Sequence, residues 1–144
     1  MKRLGPVVIV DASVAVQWYV PERDSERAHA VAEGRKLLAP DLLAMECANV
    51  LWKYVRRGEA SRTKAAEALD LLRTAPISWV RDLEMVSDAQ RLSIELNHPV
   101  YDCLYLALAL RNGVPVVTAD RRFAQLAQRS AAFSERLIAL DSLA

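Results

Sequence analysis

A chain of 144 residues that is 53% hydrophobic and 26% charged has the size and composition of one folded domain, which excludes a disordered segment. A formal net charge of +1 gives no bulk attraction to nucleic acid or membrane, so any polyanion binding must come from a local basic patch. No apolar run approaches the roughly 20 residues of a membrane span. Asp11 also interrupts the apolar stretch after Lys2-Arg3 too early for a signal peptide.

Taken in order, Val7-Val8-Ile9-Val10 is an unbroken β-branched run, the pattern of a strand buried on both faces. Asp11 or Ser13 can cap a short helix over 13–19, and a second helix is expected over 24–34, ending at Gly34. Leu37-Leu38-Ala39 reads as the second strand, and Pro40-Asp41 opens a long helix over 41–57 that stops near Gly58. A helix over 62–74 carries Ala65, Leu69 and Leu72 on one face, and Pro76 precedes a third strand over Ile77–Arg81. Met85, Ala89, Leu92 and Leu96 have helical spacing, so 84–96 is expected to be helical. The segment 101–111 is apolar nearly all round, as in a buried helix, with Asn112-Gly113 as its cap and Pro115 preventing continuation. Val116-Val117 is the fourth strand, a short helix over 121–128 follows, and a fifth strand lies around Leu137–Leu140. Strands alternating with helices predict a single domain over 1–144 of α/β class. Its architecture is a three-layer α/β/α sandwich around a mostly parallel five-stranded sheet.

The chemistry lies in four scattered acids. Asp11 and Asp120 follow two strand ends, where open parallel sheets bind ligands. Asp102 falls in the first turn of its helix, and Glu46 sits about one turn inside the long helix with Asn49 and Lys53 on the same stripe. Each acid also has a structural explanation. Asp11 and Asp120 can be helix caps, Asp102 can answer the helix dipole, and Glu46 can be an exposed helix residue. Jointly, carboxylates in apolar surroundings need positive charge, and a hard divalent cation such as Mg²⁺ or Mn²⁺ supplies it. The hydroxyls of Ser13 and Thr118, two residues from Asp11 and Asp120, can orient a carboxylate or bind water. Such a cluster suits metal-assisted phosphodiester hydrolysis, and no histidine or cysteine near the acids points to a covalent nucleophile.

Lys53, Arg56 and Arg57 end the long helix, followed by Arg62 and Lys64, while Arg121 and Arg122 follow Asp120. These can form a basic rim for phosphates, or simply complement helix dipoles. Cys47 and Cys103 can form a disulfide or a metal pair, but their apolar helices favour two small buried hydrophobes in a reducing cytoplasm. Trp18, Tyr19 and Val20 form an aromatic and apolar patch, either core packing or a partner surface.

Four blocks together resemble the PIN-domain family of metal-dependent ribonucleases, specifically the VapC-type toxins of toxin–antitoxin pairs. They are Val8-Ile9-Val10-Asp11-Ala12-Ser13-Val14; Ala39-Pro40-Asp41-Leu42-Leu43 leading to Glu46 and Asn49; Asp102 heading Leu104-Tyr105-Leu106-Ala107-Leu108-Ala109; and Val117-Thr118-Ala119-Asp120-Arg121-Arg122-Phe123. No block is specific alone; their order and separation are. The resemblance implies endonucleolytic RNA cleavage with Mg²⁺ or Mn²⁺ at Asp11, Glu46, Asp102 and Asp120, with Ser13 and Thr118 as supporting hydroxyls. It also implies a homodimer and a small inhibitory antitoxin protein. Cys103 departs from it where a smaller alanine is frequent.

Rival readings lack their required residues. A phosphoacceptor receiver needs an acidic pair after the first strand and a late lysine; here Asp11 is single and Asp120 stands late. The four glycines are isolated, so no phosphate loop is present. A haloacid-dehalogenase-type phosphatase needs an acid where Ser13 sits. A PIN-like RNA- or protein-binding module without cleavage is the alternative that retains the fold, although none of its acids is missing.

Overall fold

Val8, Ile9 and Val10 are completely inaccessible, although successive side chains of a strand point to opposite faces. Both faces of the central strand are therefore covered, as the β-branched run predicts. The computed structural model describes residues 3–143, and Lys2 lies outside that range. In chain order, β1 (Val7–Val10) leads into α1 (Ala12–Ala15), a 3₁₀ turn (Val16–Trp18) and α2 (Ser25–Ala32). Then come β2 (Lys36–Pro40), α3 (Leu42–Arg56), α4 (Arg62–Thr74) and β3 (Ile77–Val80). A 3₁₀ turn (Asp82–Glu84) precedes α5 (Val86–Leu96), α6 (Val100–Asn112) and β4 (Val116–Thr118). The chain closes with α7 (Arg121–Ala124), a 3₁₀ turn (Gln125–Gln128), α8 (Ala131–Ser134), β5 (Leu137–Ala139) and a last 3₁₀ turn (Leu140–Ser142).

The sheet has the order β3-β2-β1-β4-β5, and every pairing is parallel. From β1 the chain first builds outward through β2 and β3, then returns to place β4 on the other side of β1. The carboxyl ends of β1 and β4 thus flank the point where the strand order reverses, the crevice in which such sheets bind ligands. Asp11 follows β1 directly and Asp120 follows β4 by one residue.

Local chemistry explains several element ends. The Asp11 carboxylate accepts from the Ser13 amide at 3.1 Å and caps α1. Helix α4 is capped by Ser61, which accepts from the Lys64 amide at 3.1 Å. Gly113 closes α6 with φ +64°, a left-handed conformation that glycine adopts without a Cβ penalty. Helix α3 is a different case. Asp41 makes no side-chain cap; Asp82, beyond β3, accepts from the Leu42 amide at 3.2 Å instead.

Three expected boundaries are corrected. The helix expected over 13–19 is α1 plus a 3₁₀ turn, held in part by the Trp18 indole N–H, which donates to the Ala28 carbonyl at 2.8 Å. The helix expected over 121–128 likewise tightens to 3₁₀ after Ala124, and α8 was not expected at all. The helix expected from 84 begins at Val86, because Asp82–Glu84 is a separate 3₁₀ turn. Trp18, Tyr19 and Val20 are partly buried and pack against the core.

Cys47 and Cys103 are buried free thiols, as the packing alternative expects. Burial, with Glu46 adding to it, pushes the Cys47 thiol up to about 12, and burial with Asp102 pushes Cys103 up to about 11. Thiolates are the reactive form. At pH 8 the native protein should therefore leave Ellman's reagent unreacted, and both thiols should titrate rapidly in guanidinium chloride; a fast native-state thiol would contradict this packing.

Candidate active site

A cleft of about 450 Å³ at the switch point gathers side chains from four separate parts of the sequence. Asp11, Glu46, Asp102 and Asp120 all line it, together with Ser13, Asn49 and Lys53. All four acids expected from the sequence are therefore brought together. Thr118 is not on the wall but directly beneath it, completely buried.

Each acid is anchored by its own donors. Asp11, 5% exposed, accepts from the Ser13 hydroxyl on Oδ1 and from the Thr118 hydroxyl on Oδ2. Those hydroxyls accept in turn from the Ala119 amide (2.8 Å) and the Asp120 amide (3.0 Å), so the start of the β4–α7 loop fixes their orientation. Asp120 Oδ1 accepts from the amides of Arg122 (2.9 Å) and Phe123 (3.3 Å), capping α7. Capping and lining the cleft thus prove compatible for Asp11 and Asp120; one carboxylate does both. Glu46 Oε1 accepts from the Tyr105 hydroxyl at 2.6 Å, and Asp102 Oδ2 lies 2.6 Å from His98 Nε2. Among the described residues no hydrogen bond engages Glu46 Oε2, Asp102 Oδ1 or Asp120 Oδ2.

The electrostatics are those of a site short of positive charge. Burial raises the Asp11 pKa from 3.8 to about 7; the two hydroxyls oppose that rise, while Asp102 and Glu46 add to it. Burial also raises Glu46, against the Tyr105 hydrogen bond, with Asp102 and Asp82 adding further. Asp102 is raised by burial too, with His98 opposing and Asp120 contributing repulsion. Three desolvated, mutually repelling carboxyl groups favour a bound cation. Their donor set is all oxygen, which suits a hard divalent ion. Among the described residues no three His, Cys, Asp or Glu side chains close on a single point tightly enough to enclose an ion.

The basic residues divide. Lys53 lines the cleft. Arg122 is near enough to Asp102 to oppose its pKa rise, and Arg121 reaches Asp141 at 3.9 Å. Arg56 lies over the Trp52 ring at 4.6 Å, and Arg57 forms the C-cap of α3; neither lines the cleft.

His98 lies beside the acids, a neighbour that the order of the sequence does not reveal. It sits between α5 and α6, stacked on Phe123 at 6.0 Å, and its partner Asp102 is four residues on. Pro99 intervenes at the helix start and masks that spacing. The polar contact of its Nε2 is the hydrogen bond with Asp102. Tyr105 was read only as part of an apolar helix. Its signal was a hydroxyl on a helix with no exposed face, which must find a partner elsewhere. Met45 and Tyr101, both largely exposed, form apolar walls of the cleft and were also missed.

The PIN domain family profile matches residues 8–129. Ribonuclease VapC3 of Pyrobaculum aerophilum is 37% identical over 121 residues, covering 82% of this chain and 92% of that protein. In three dimensions the fold is similar to Mycobacterium tuberculosis VapC20, a Sarcin-Ricin loop cleaving toxin, with a TM-score of 0.64 at 12% identity over 82% of this chain and 93% of that one. It is also similar to VapBC2 of Rickettsia felis, solved bound to a DNA fragment from their promoter, with a TM-score of 0.63 at 14% identity over 92% and 98% of the two chains. At those identities the structural likenesses concern the fold. Five parallel strands, the family match across most of the chain and the VapC3 similarity agree: this chain belongs to the PIN-domain family.

Proposed function

We propose that this protein is an endoribonuclease that hydrolyses RNA phosphodiester bonds with Mg²⁺ or Mn²⁺, as the toxin of a toxin–antitoxin pair. One observation carries the reading: four carboxylates from separate parts of the chain, Asp11, Glu46, Asp102 and Asp120, converge on one cleft at the switch point. Uncompensated carboxylates would repel a phosphodiester, so substrate approach requires a cation between them. Asp11, Glu46, Asp102 and Asp120 would hold it. A divalent ion held there would lower the pKa of water to give a nucleophile near neutral pH and would neutralise charge on the phosphate. Ser13 and Thr118 keep Asp11 in one orientation. Asn49 and Lys53, on the cleft wall, are placed to orient and hold the phosphate, Lys53 as a point charge. Arg56, Arg57, Arg121 and Arg122 lie further along the chain's surface and extend the contact to flanking phosphates.

The similarity to a protein named a ribonuclease supports RNA as substrate. The fold shared with VapBC2 supports a small antitoxin partner. Met45, Leu83 and Ile94 are each more than 70% exposed, apolar area that suits a second copy in a homodimer or an antitoxin helix. Among the described residues no helix is long and apolar enough to cross a membrane. We place the protein in the cytoplasm as one domain spanning 1–144. The test is a panel of structured RNAs incubated with Mg²⁺, Mn²⁺ or EDTA. Cleavage should appear with either ion, vanish in EDTA and return on re-addition. RNA binding without cleavage under all conditions would mark a binding module instead.

A further inference from the structure

Tyr105 is completely buried in α6, inside a run of seven buried residues from Cys103 to Ala109. Phenylalanine would fill the same space without a polar atom, and a buried hydroxyl is unfavourable unless it is bonded. Among the described residues, the one hydrogen bond of that hydroxyl goes to Glu46 Oε1, at 2.6 Å, joining α6 to α3 across 59 residues of sequence. Glu46 is the acid most in need of such a tether. Asp11 and Asp120 are fixed by caps at helix starts, and the two donors of Asp11 sit two residues from caps on neighbouring turns. Glu46 projects into the cleft from the interior of α3 on a long side chain, with no helix-start cap to fix it.

We propose that Tyr105 is a positioning residue: its hydroxyl holds one oxygen of Glu46 so that the other stays available to a cation in the cleft. This rests on the nuclease reading above. Its loss should weaken metal binding and, where the ion is limiting, turnover; with the ion saturating, RNA docking should survive, because Tyr105 itself is out of reach of substrate. Outer partners of metal-holding carboxylates typically contribute about 10–100-fold in affinity or activity.

The experiment compares the intact protein with Tyr105→Phe. Mn²⁺ affinity is measured by electron paramagnetic resonance without RNA; kcat and KM are measured on a cleaved RNA. Mn²⁺ binding should weaken by about 10–100-fold, cleavage at limiting Mn²⁺ should fall to match, and at saturating Mn²⁺ the KM for RNA should stay within about twofold. In a Glu46→Gln background the Tyr105→Phe change should add nothing further, since its effect runs through Glu46. Wild-type Mn²⁺ affinity in Tyr105→Phe, or losses that multiply in the double variant, would overturn the proposal, as would a wild-type protein that binds no Mn²⁺. A wild-type protein that binds Mn²⁺ but cuts no RNA would defeat the nuclease reading alone, and the Mn²⁺ comparison would still decide on Tyr105.

Discussion

Asp102→Asn should reduce metal-dependent RNA cleavage by at least about a hundredfold, the upper end of what loss of a mere outer partner produces. The substitution keeps the side chain's shape and leaves an amide oxygen to accept from His98, so the geometry of the α6 start survives. What disappears is the negative charge. Since Asp102 is held above the usual carboxylate range by burial, removing its charge relieves repulsion in the metal-free protein. Activity should collapse while thermal stability is unchanged or slightly raised. A variant that retains turnover would remove Asp102 from the centre of the site. A variant that loses activity together with its fold would show the acid to be structural instead.

The second large effect concerns stability against pH in EDTA. Asp11 titrates near 3.8 when unfolded and at about 7 in the folded protein. Between those values the folded form keeps a proton that the unfolded chain has released, so stability declines as pH rises through that window. The difference corresponds to about 4 kcal/mol once the pH exceeds 7, or roughly 10 °C in Tm for a chain of this size. Glu46 and Asp102 are raised as well and act in the same direction. Metal-free Tm should therefore fall between pH 5 and pH 8. Asp11→Asn should largely flatten that profile and melt higher than the native protein at pH 8, while being inactive. Added Mg²⁺ or Mn²⁺ should restore the native protein's Tm most strongly at high pH, because the ion requires deprotonated ligands. A metal-free Tm that climbs from pH 5 to pH 8, or an Asp11→Asn variant less stable than wild type at pH 8, would show that Asp11 is already satisfied in the fold.

The uneven legibility of the sequence has a physical pattern. Val7–Val10 was readable because burial on both faces demands an unbroken β-branched run, and α6 because nothing polar interrupts its interior. The four acids were readable as residues with costly surroundings, and two strand ends placed two of them in space. What was not readable depends on distant partners. Asp82 caps α3 from beyond β3, so the local sequence at Asp41 names the wrong acid. Tyr105 reaches Glu46 on another helix, and although its hydroxyl on an apolar helix calls for a partner, nothing at position 105 says which residue that is. His98 was obscured because Pro99 stands between it and the helix that carries Asp102. The single-turn α8 carries too few residues for a periodicity to be seen, and the 3₁₀ endings after Ala15 and Ala124 reflect packing that no local pattern records.

The most direct test of the central claim is the chemistry of the cut ends. Hydrolysis by water at a cation-bearing carboxylate site expels the 3′ oxygen and leaves a 3′-hydroxyl and a 5′-phosphate. Attack by the RNA's own 2′-hydroxyl leaves a 2′,3′-cyclic phosphate and a 5′-hydroxyl and needs no divalent ion. RNA cut by the purified protein in Mg²⁺ should carry 5′-phosphate and 3′-hydroxyl ends, with no product in EDTA. Cyclic phosphate ends, or undiminished cleavage in EDTA, would contradict the account.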